Sequence, residues 1–141
     1  MKSILYDTVV AISSLKSADN ETLTGATIDM KGFDGVAFIA VALKGEALDF
    51  AIKAQQGAAS NMSDAADLAG TSVDFSTAVG TDGLTTLEVL QPRERYVRAL
   101  VTVPNATSAT PTAVVAIKFK AKNLPQSNSG EQHIGPAEGT A

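Results

Sequence analysis

The nine residues Gly35-Val-Ala-Phe-Ile-Ala-Val-Ala-Leu43 carry no charge and only small, branched or aromatic side chains. Asp34 precedes them and Lys44-Gly45 follows, so the run is too short for a membrane span and has the length and β-branched content of a strand. With no polar position along it, the pattern predicts a strand covered on both faces. Its neighbours carry the same signal. Leu5 to Leu15 is rich in β-formers and ends in the polar stretch Lys16 to Asn20, and Glu21 to Met30 forms a second run that closes at Lys31-Gly32. Downstream of the Lys44-Gly45 turn, Ala47 to Gln55 alternates, with Leu48, Phe50 and Ile52 inward and Asp49 and Lys53 outward.

Gln56 to Thr81 breaks this rhythm. Ser63-Asp-Ala-Ala-Asp-Leu-Ala-Gly70 offers an N-cap, acids in the first turn and a terminal glycine, which predicts one or two helical turns, and Val73 to Ser76 reads as a short strand. Asp82-Gly83 is a hairpin-turn dipeptide. Leu84 to Gln91, Arg95 to Val103 and Thr112 to Lys122 then run at strand spacing, punctuated by Pro92, Pro104 and Pro111. The expectation is an all-β domain over residues 1–122, a jelly-roll-like antiparallel sandwich or barrel of about eight strands with at most one short helix. Residues 123–141, with two prolines and three glycines and almost nothing to bury, are expected to form a flexible tail.

Composition narrows the function classes. A chain of 141 residues hides roughly 68–70% of the surface it exposes unfolded, enough for a core without a staple. The absence of cysteine excludes disulfide scaffolds, thiol nucleophiles, iron–sulfur clusters and the usual structural zinc sites. Charged residues make up 18%, against roughly 25% in soluble domains, and Ala, Thr, Ser and Gly fill the difference. Such a weakly hydrated surface points to an assembly component. The net charge of −4 disfavours nucleic acid as a partner, and no segment approaches a membrane span. Met1 to Leu15 lacks the apolar stretch of a secretory signal, so the expected site of synthesis and assembly is the cytoplasm.

The net charge conceals two opposed segments. Residues 46–90 hold seven acids against Lys53, a net of −6, and residues 91–122 hold six bases against Glu94, a net of +5. Lys118, Lys120 and Lys122 are two apart, so a strand presents all three on one face. That row is read either as protection of an edge strand or as a docking stripe for an acidic partner. Arg93, Arg95, Tyr96 and Arg98 form a second cluster, of the residue types enriched in interface hot spots, and internal pairing with the acidic segment is the competing reading.

Chemistry is harder to find. The one histidine, His133, falls in the tail, and there is no phosphate loop, H-E-x-x-H or EF-hand motif. Asp29 and Asp34 flank the turn Met30-Lys31-Gly32-Phe33 and read as turn-formers rather than a Ca²⁺ site. Asp49 and Glu88 have the look of exposed strand positions rather than a glycosidase pair. The expectation is a non-enzyme with no cofactor and no metal.

Two stretches carry a family resemblance. Gly25 to Leu43, with its Lys31-Gly-Phe-Asp34 turn, and Arg95-Tyr-Val-Arg-Ala-Leu-Val-Thr-Val103 with the closing strand resemble the capsid decoration, or cement, proteins of tailed phages, most of all those of short-tailed phages. The resemblance covers residues 25–122. It implies a jelly-roll-like sandwich on the outside of the virion that ties neighbouring major capsid subunits together against internal DNA pressure. The implied partners are the phage major capsid protein and further copies of the chain as a dimer or trimer, with no nucleic acid and no membrane. The interface residues expected from the two basic clusters are Arg93, Arg95, Tyr96, Arg98, Lys118, Lys120 and Lys122. The alternatives are a β-barrel module binding a small ligand or glycan, and a tail or baseplate adaptor.

Overall fold

The computed structural model describes residues 4–18, 22–43, 48–77, 81–103 and 110–124. One helical turn, α1 (Ile4–Asp7), is followed by strands β1 (Val9–Ala18), β2 (Thr22–Thr24), β3 (Ile28–Asp29), β4 (Gly35–Ala42), β5 (Leu48–Gly57), β6 (Ala66–Asp67), β7 (Val73–Thr77), β8 (Gly83–Leu90), β9 (Tyr96–Thr102) and β10 (Thr110–Phe119). They form two antiparallel sheets. The first runs β1-β10-β4-β8. In the second, β9 and β5 are central, β2 and β3 both lie along the free side of β9, and β6 and β7 both lie along the free side of β5. With β2/β3 and β6/β7 each taken as one interrupted strand, eight strands pass between the sheets in the order of a jelly roll, as the sequence predicts, with β5 and β6/β7 the one consecutive pair in the same sheet.

Alternation builds the core. Val36, Phe38 and Ala40 of β4 and Val114 and Ala116 of β10 face Phe50, Ile52, Val97 and Val101 of the other sheet, all at most 1% exposed. Phe50 stacks on Phe75 at 5.2 Å between ring centroids. The predicted inward Phe50 and Ile52 and the outward Asp49 are found as expected. The Lys44-Gly45 turn, the side chain of Leu48, His133 and the tail from residue 125 lie outside the described residues.

The single run expected over Glu21 to Met30 is divided, and Gly25 shows why. Its N–H donates to the Ala99 carbonyl at 2.8 Å, and Ala26 N–H turns away to the Ser13 carbonyl of β1 at 2.7 Å. A Cβ on Gly25 would collide with Ser13 Oγ and stand 2.7 Å from Ala99 O, so only glycine permits this approach of the sheets. Ser13 occupies a bulge in β1, which aims its carbonyl at Ala26.

Four expectations are corrected. Ser63 to Gly70 forms no helix: Asp64 accepts from the N–H groups of Ala58 and Ala59, closing a loop, and Ala66 and Asp67 pair with β5, so tertiary pairing wins over weak helix signals. Asp82-Gly83 closes no hairpin, because β7 pairs with β5 while β8 pairs with β4 in the other sheet. The Leu5–Leu15 run begins as a helical turn, and its strand continues to Ala18. Finally, among the described residues β4 is covered on one face only. Its inner positions are buried, but Ala37, Ile39 and Val41 point outward and are half-buried by lateral neighbours in their own sheet.

Candidate functional site

The turn between β3 and β4 is tied to three distant segments. Met30 N–H donates to the Arg95 carbonyl (2.9 Å), Asp34 N–H to the Phe119 carbonyl (3.3 Å), Gln91 N–H to the Asp34 carbonyl (2.7 Å), and Lys122 N–H to the Gly32 carbonyl (2.8 Å). Within the turn, Phe33 N–H closes on the Met30 carbonyl, Asp29 Oδ1 accepts from Lys31 N–H at 2.9 Å, and Gly32 takes φ +84°, the left-handed conformation that glycine tolerates best. The two stretches that carried the family resemblance thus meet at one end of the sandwich. An open cleft of about 590 Å³ lies there, lined by Lys31, Asp34, Gln91, Arg93, Lys122 and their neighbours.

Asp29 organises this end. Arg95 grips it with both prongs, Nε to Oδ1 at 2.9 Å and Nη2 to Oδ2 at 2.7 Å, fixing β3 to β9. That guanidinium holds the Asp29 carboxyl at about 2 rather than its usual 3.8; the Lys31 N–H and the nearby Lys118 charge act in the same direction, and partial burial opposes them. Reciprocally, the Asp29 bond raises the pKa of Arg95. Arg95 also lies over the Tyr96 ring, 5.1 Å from its centroid. Lys118 reaches across from the other sheet. Its ammonium donates to the Asp29 carbonyl at 3.1 Å and stands 4.3 Å from the Phe33 ring centroid, with its pKa pulled down by burial and only partly restored by Asp29.

The structure divides the seven expected interface residues. Arg93, Arg95, Tyr96, Lys118 and Lys122 gather around the β3–β4 turn. Arg98 lies farther along β9, where its guanidinium donates to Gln55 Oε1 at 2.9 and 2.8 Å. Lys120 has left the strand at φ +53° and is exposed. The lysine row is therefore not a row: β10 ends at Phe119, and Lys118 lies on the inner-face register of Val114 and Ala116. Edge protection is overturned as well, since β10 is flanked by β1 and β4. Internal pairing does occur, but Arg95 takes Asp29 and Arg98 takes Gln55, neither of them an acid of residues 46–90.

Sequence reasoning read Asp29 as a turn-former, which it is, and missed its second role as the anchor for Arg95. It also missed Gln56, whose Oε1 accepts from the backbone N–H groups of Arg93 and Glu94 and so holds the arginine-bearing loop. Local spacing gives no sign of either contact, because the partners are 66 and 37 or more residues apart. Asp29 and Asp34 are each held by a side-chain cation, Asp29 by Arg95 and Asp34 by Lys122 at 3.9 Å. Asp49 and Glu88 are exposed on outward positions of opposite sheets.

The class of fold is thus a jelly-roll sandwich with a polar, ion-paired end. Among solved structures, the chain is similar to the PBSX exported protein XepA, with a TM-score of 0.60 and 16% identity over 92% of this chain, and it spans 43% of XepA's length. Looser likenesses are to the SPBc2 prophage-derived protein YomS (TM-score 0.43, 10% identity, covering 83% of this chain and 98% of that one) and to a subunit from Bacillus endospore appendages (TM-score 0.47, 13% identity, covering 81% and 85%). No family model and no curated protein sequence matches the chain.

Proposed function

We propose that the chain is a structural protein of a phage-type virion that coats the outer surface of the capsid and ties neighbouring major capsid subunits together. The observation that carries this reading is the end of the sandwich described above. Four cations (Lys31, Arg93, Arg95 and Lys122) and two acids (Asp34 and Glu94) line a cleft whose backbone is hydrogen-bonded into both sheets. A rigid, net-positive surface of this kind suits register-specific contact with an acidic protein surface, where charge complementarity fixes orientation and steers encounter. The likeness to XepA supports the fold alone, and the resemblance of the Lys31–Asp34 turn and the Arg95–Val103 strand to cement proteins supplies the phage context.

In this reading the protein works mechanically and catalyses nothing. A ligand that binds the assembled shell but not its dissociated subunits stabilises the shell by mass action, and bridging two subunits adds an effective-concentration gain. The test is to mix the purified protein with expanded heads that lack it and to sediment them. Co-sedimentation is expected, with loss of binding in the double variant Arg93→Glu, Lys122→Glu, whose side chains are exposed at the cleft. Protein left wholly in the supernatant overturns the reading. Arg95 and Lys118 are poorer probes, because changing them also disturbs the ties of β3 to β9 and β10.

A further inference from the structure

The outer face of the β1-β10-β4-β8 sheet is largely apolar, with Thr86 and Glu88 as its polar residues on the edge strand β8. The cross-strand register places Ile12, Val115, Ile39 and Thr86 in one row and Val10, Ile117, Ala37 and Glu88 in the next. Ile12 and Leu84 are each 66% exposed, Leu90 56% and Val10 43%. Among the described outward side chains of this sheet, Glu88 is the only charge, and it sits on the edge strand β8.

We infer that this face packs against the same face of a second copy of the chain, forming a twofold dimer. The area fits. Four strands about 4.8 Å apart, with outward side chains along some seven residues at about 3.4 Å each, give a footprint of roughly 450 Å² and, once side-chain relief is included, about 600–700 Å² of accessible surface per copy. Two copies bury about 1,200–1,400 Å², within the range of specific interfaces and above that of most lattice contacts. Composition favours a like partner: homodimer cores are more apolar than transient interfaces and are depleted in charge. Geometry favours it too, because two flat sheet faces pack at about 10 Å with side chains interleaved. A twofold axis running along the strands between β10 and β4 lays β8 of one copy over β1 of the other. Each Glu88 then falls at an opposite rim, away from its counterpart, and Ile39 meets Val115 across the axis.

This inference is independent of where the shell binds, since the cationic cleft lies at the end of the sandwich. The test is sedimentation velocity of the full chain over a range of concentrations, comparing wild type with Ile12→Lys, Leu84→Lys. Both substituted positions are largely exposed in the single chain, and circular dichroism verifies the fold. Wild type is expected to sediment as a dimer, and the double variant as a monomer with self-association weakened by on the order of a hundredfold or more, because each copy would bury two unpaired ammonium groups. A monomeric or trimeric wild type overturns the inference, as does a variant that dimerises as wild type does. If wild type is monomeric and the variant loses head binding, the face belongs to a capsid subunit. If it is monomeric and deletion of residues 125–141 raises its binding of an apolar dye, the face belongs to the chain's own C-terminal segment. The cleft variant Arg93→Glu, Lys122→Glu stays dimeric, so failure of the dimer and failure of the proposed function are read separately.

Discussion

On one side of the sandwich the outward row reads Ile12, Val115, Ile39, Thr86; on the other the comparable row reads Thr22, Thr102, Ala51, Asp74. The next row of the second sheet is Thr24, Leu100, Lys53, and the one after it Arg98, Gln55, Asp67, joined by hydrogen bonds from Arg98 to Gln55 and from Gln55 to Asp67, with Lys53 also bonded to Asp67 at 2.7 Å. Behind these unlike exteriors the inner faces are alike, Phe38 in one sheet and Phe50 in the other, both fully packed. One sheet is thus finished on the outside by a polar network within its own chain. The other presents a surface of the composition that proteins usually bury.

The comparison can be broken from the inside outward. Phe38→Ala and Phe50→Ala are each expected to cost about 3–5 kcal/mol in denaturant unfolding, since both leave cavities in the shared core. A large gap between the two would show that the sheets are not equivalent inside. At the seam between the sheets, Ser13 Oγ is buried and, among the described residues, has no hydrogen-bond partner. Ser13→Ala is therefore expected to stabilise the fold by about 1 kcal/mol by removing an unsatisfied hydroxyl, and a loss of stability would reveal a hidden partner there.

The polar end gives a pH-dependent contrast. Asp29 titrates at about 2 in the fold against 3.8 ordinarily, so its contribution is complete above the ordinary value and is lost as pH falls through the folded one. Asp29→Asn should lower the melting temperature near neutral pH, and the gap to wild type should close on acidification through that window. A gap that persists at low pH would assign the role of Asp29 to shape rather than charge. The smallest effect is expected on the polar face: Lys53→Ala removes an exposed ion pair with Asp67 and should leave the melting temperature unchanged within error.

The contrast between the faces is partly written in the chain. Ala47 to Gln55 alternates, and β5 turns its charges outward as that pattern requires. Gly35 to Leu43 does not alternate, and among the described residues the reading that such a strand is covered on both sides is met on the inner face alone. The proposed dimer supplies the second cover. The candidate site was less legible. The sequence marks its arginines and lysines as residue types, but a lysine row depends on β10 continuing past Phe119, and the arginines pair with Asp29 and Gln55 rather than with the acidic segment.

What the sequence determined by itself is what local periodicity can carry: an all-β chain, the places of most strands, the inward Phe50 and Ile52 and the turn at Lys31–Asp34. The residue pattern repeats within a few positions, and burial of alternate side chains follows from the geometry of one strand. Tertiary structure alone decided which strands are neighbours. That choice made β10 a central strand, turned weak helix signals at Ser63 to Gly70 into a loop paired with β5, and brought Asp29 to Arg95 across 66 positions of chain. Contacts of that kind depend on hydrogen bonding and packing between segments remote in sequence, and only the assembled sandwich brings those segments together.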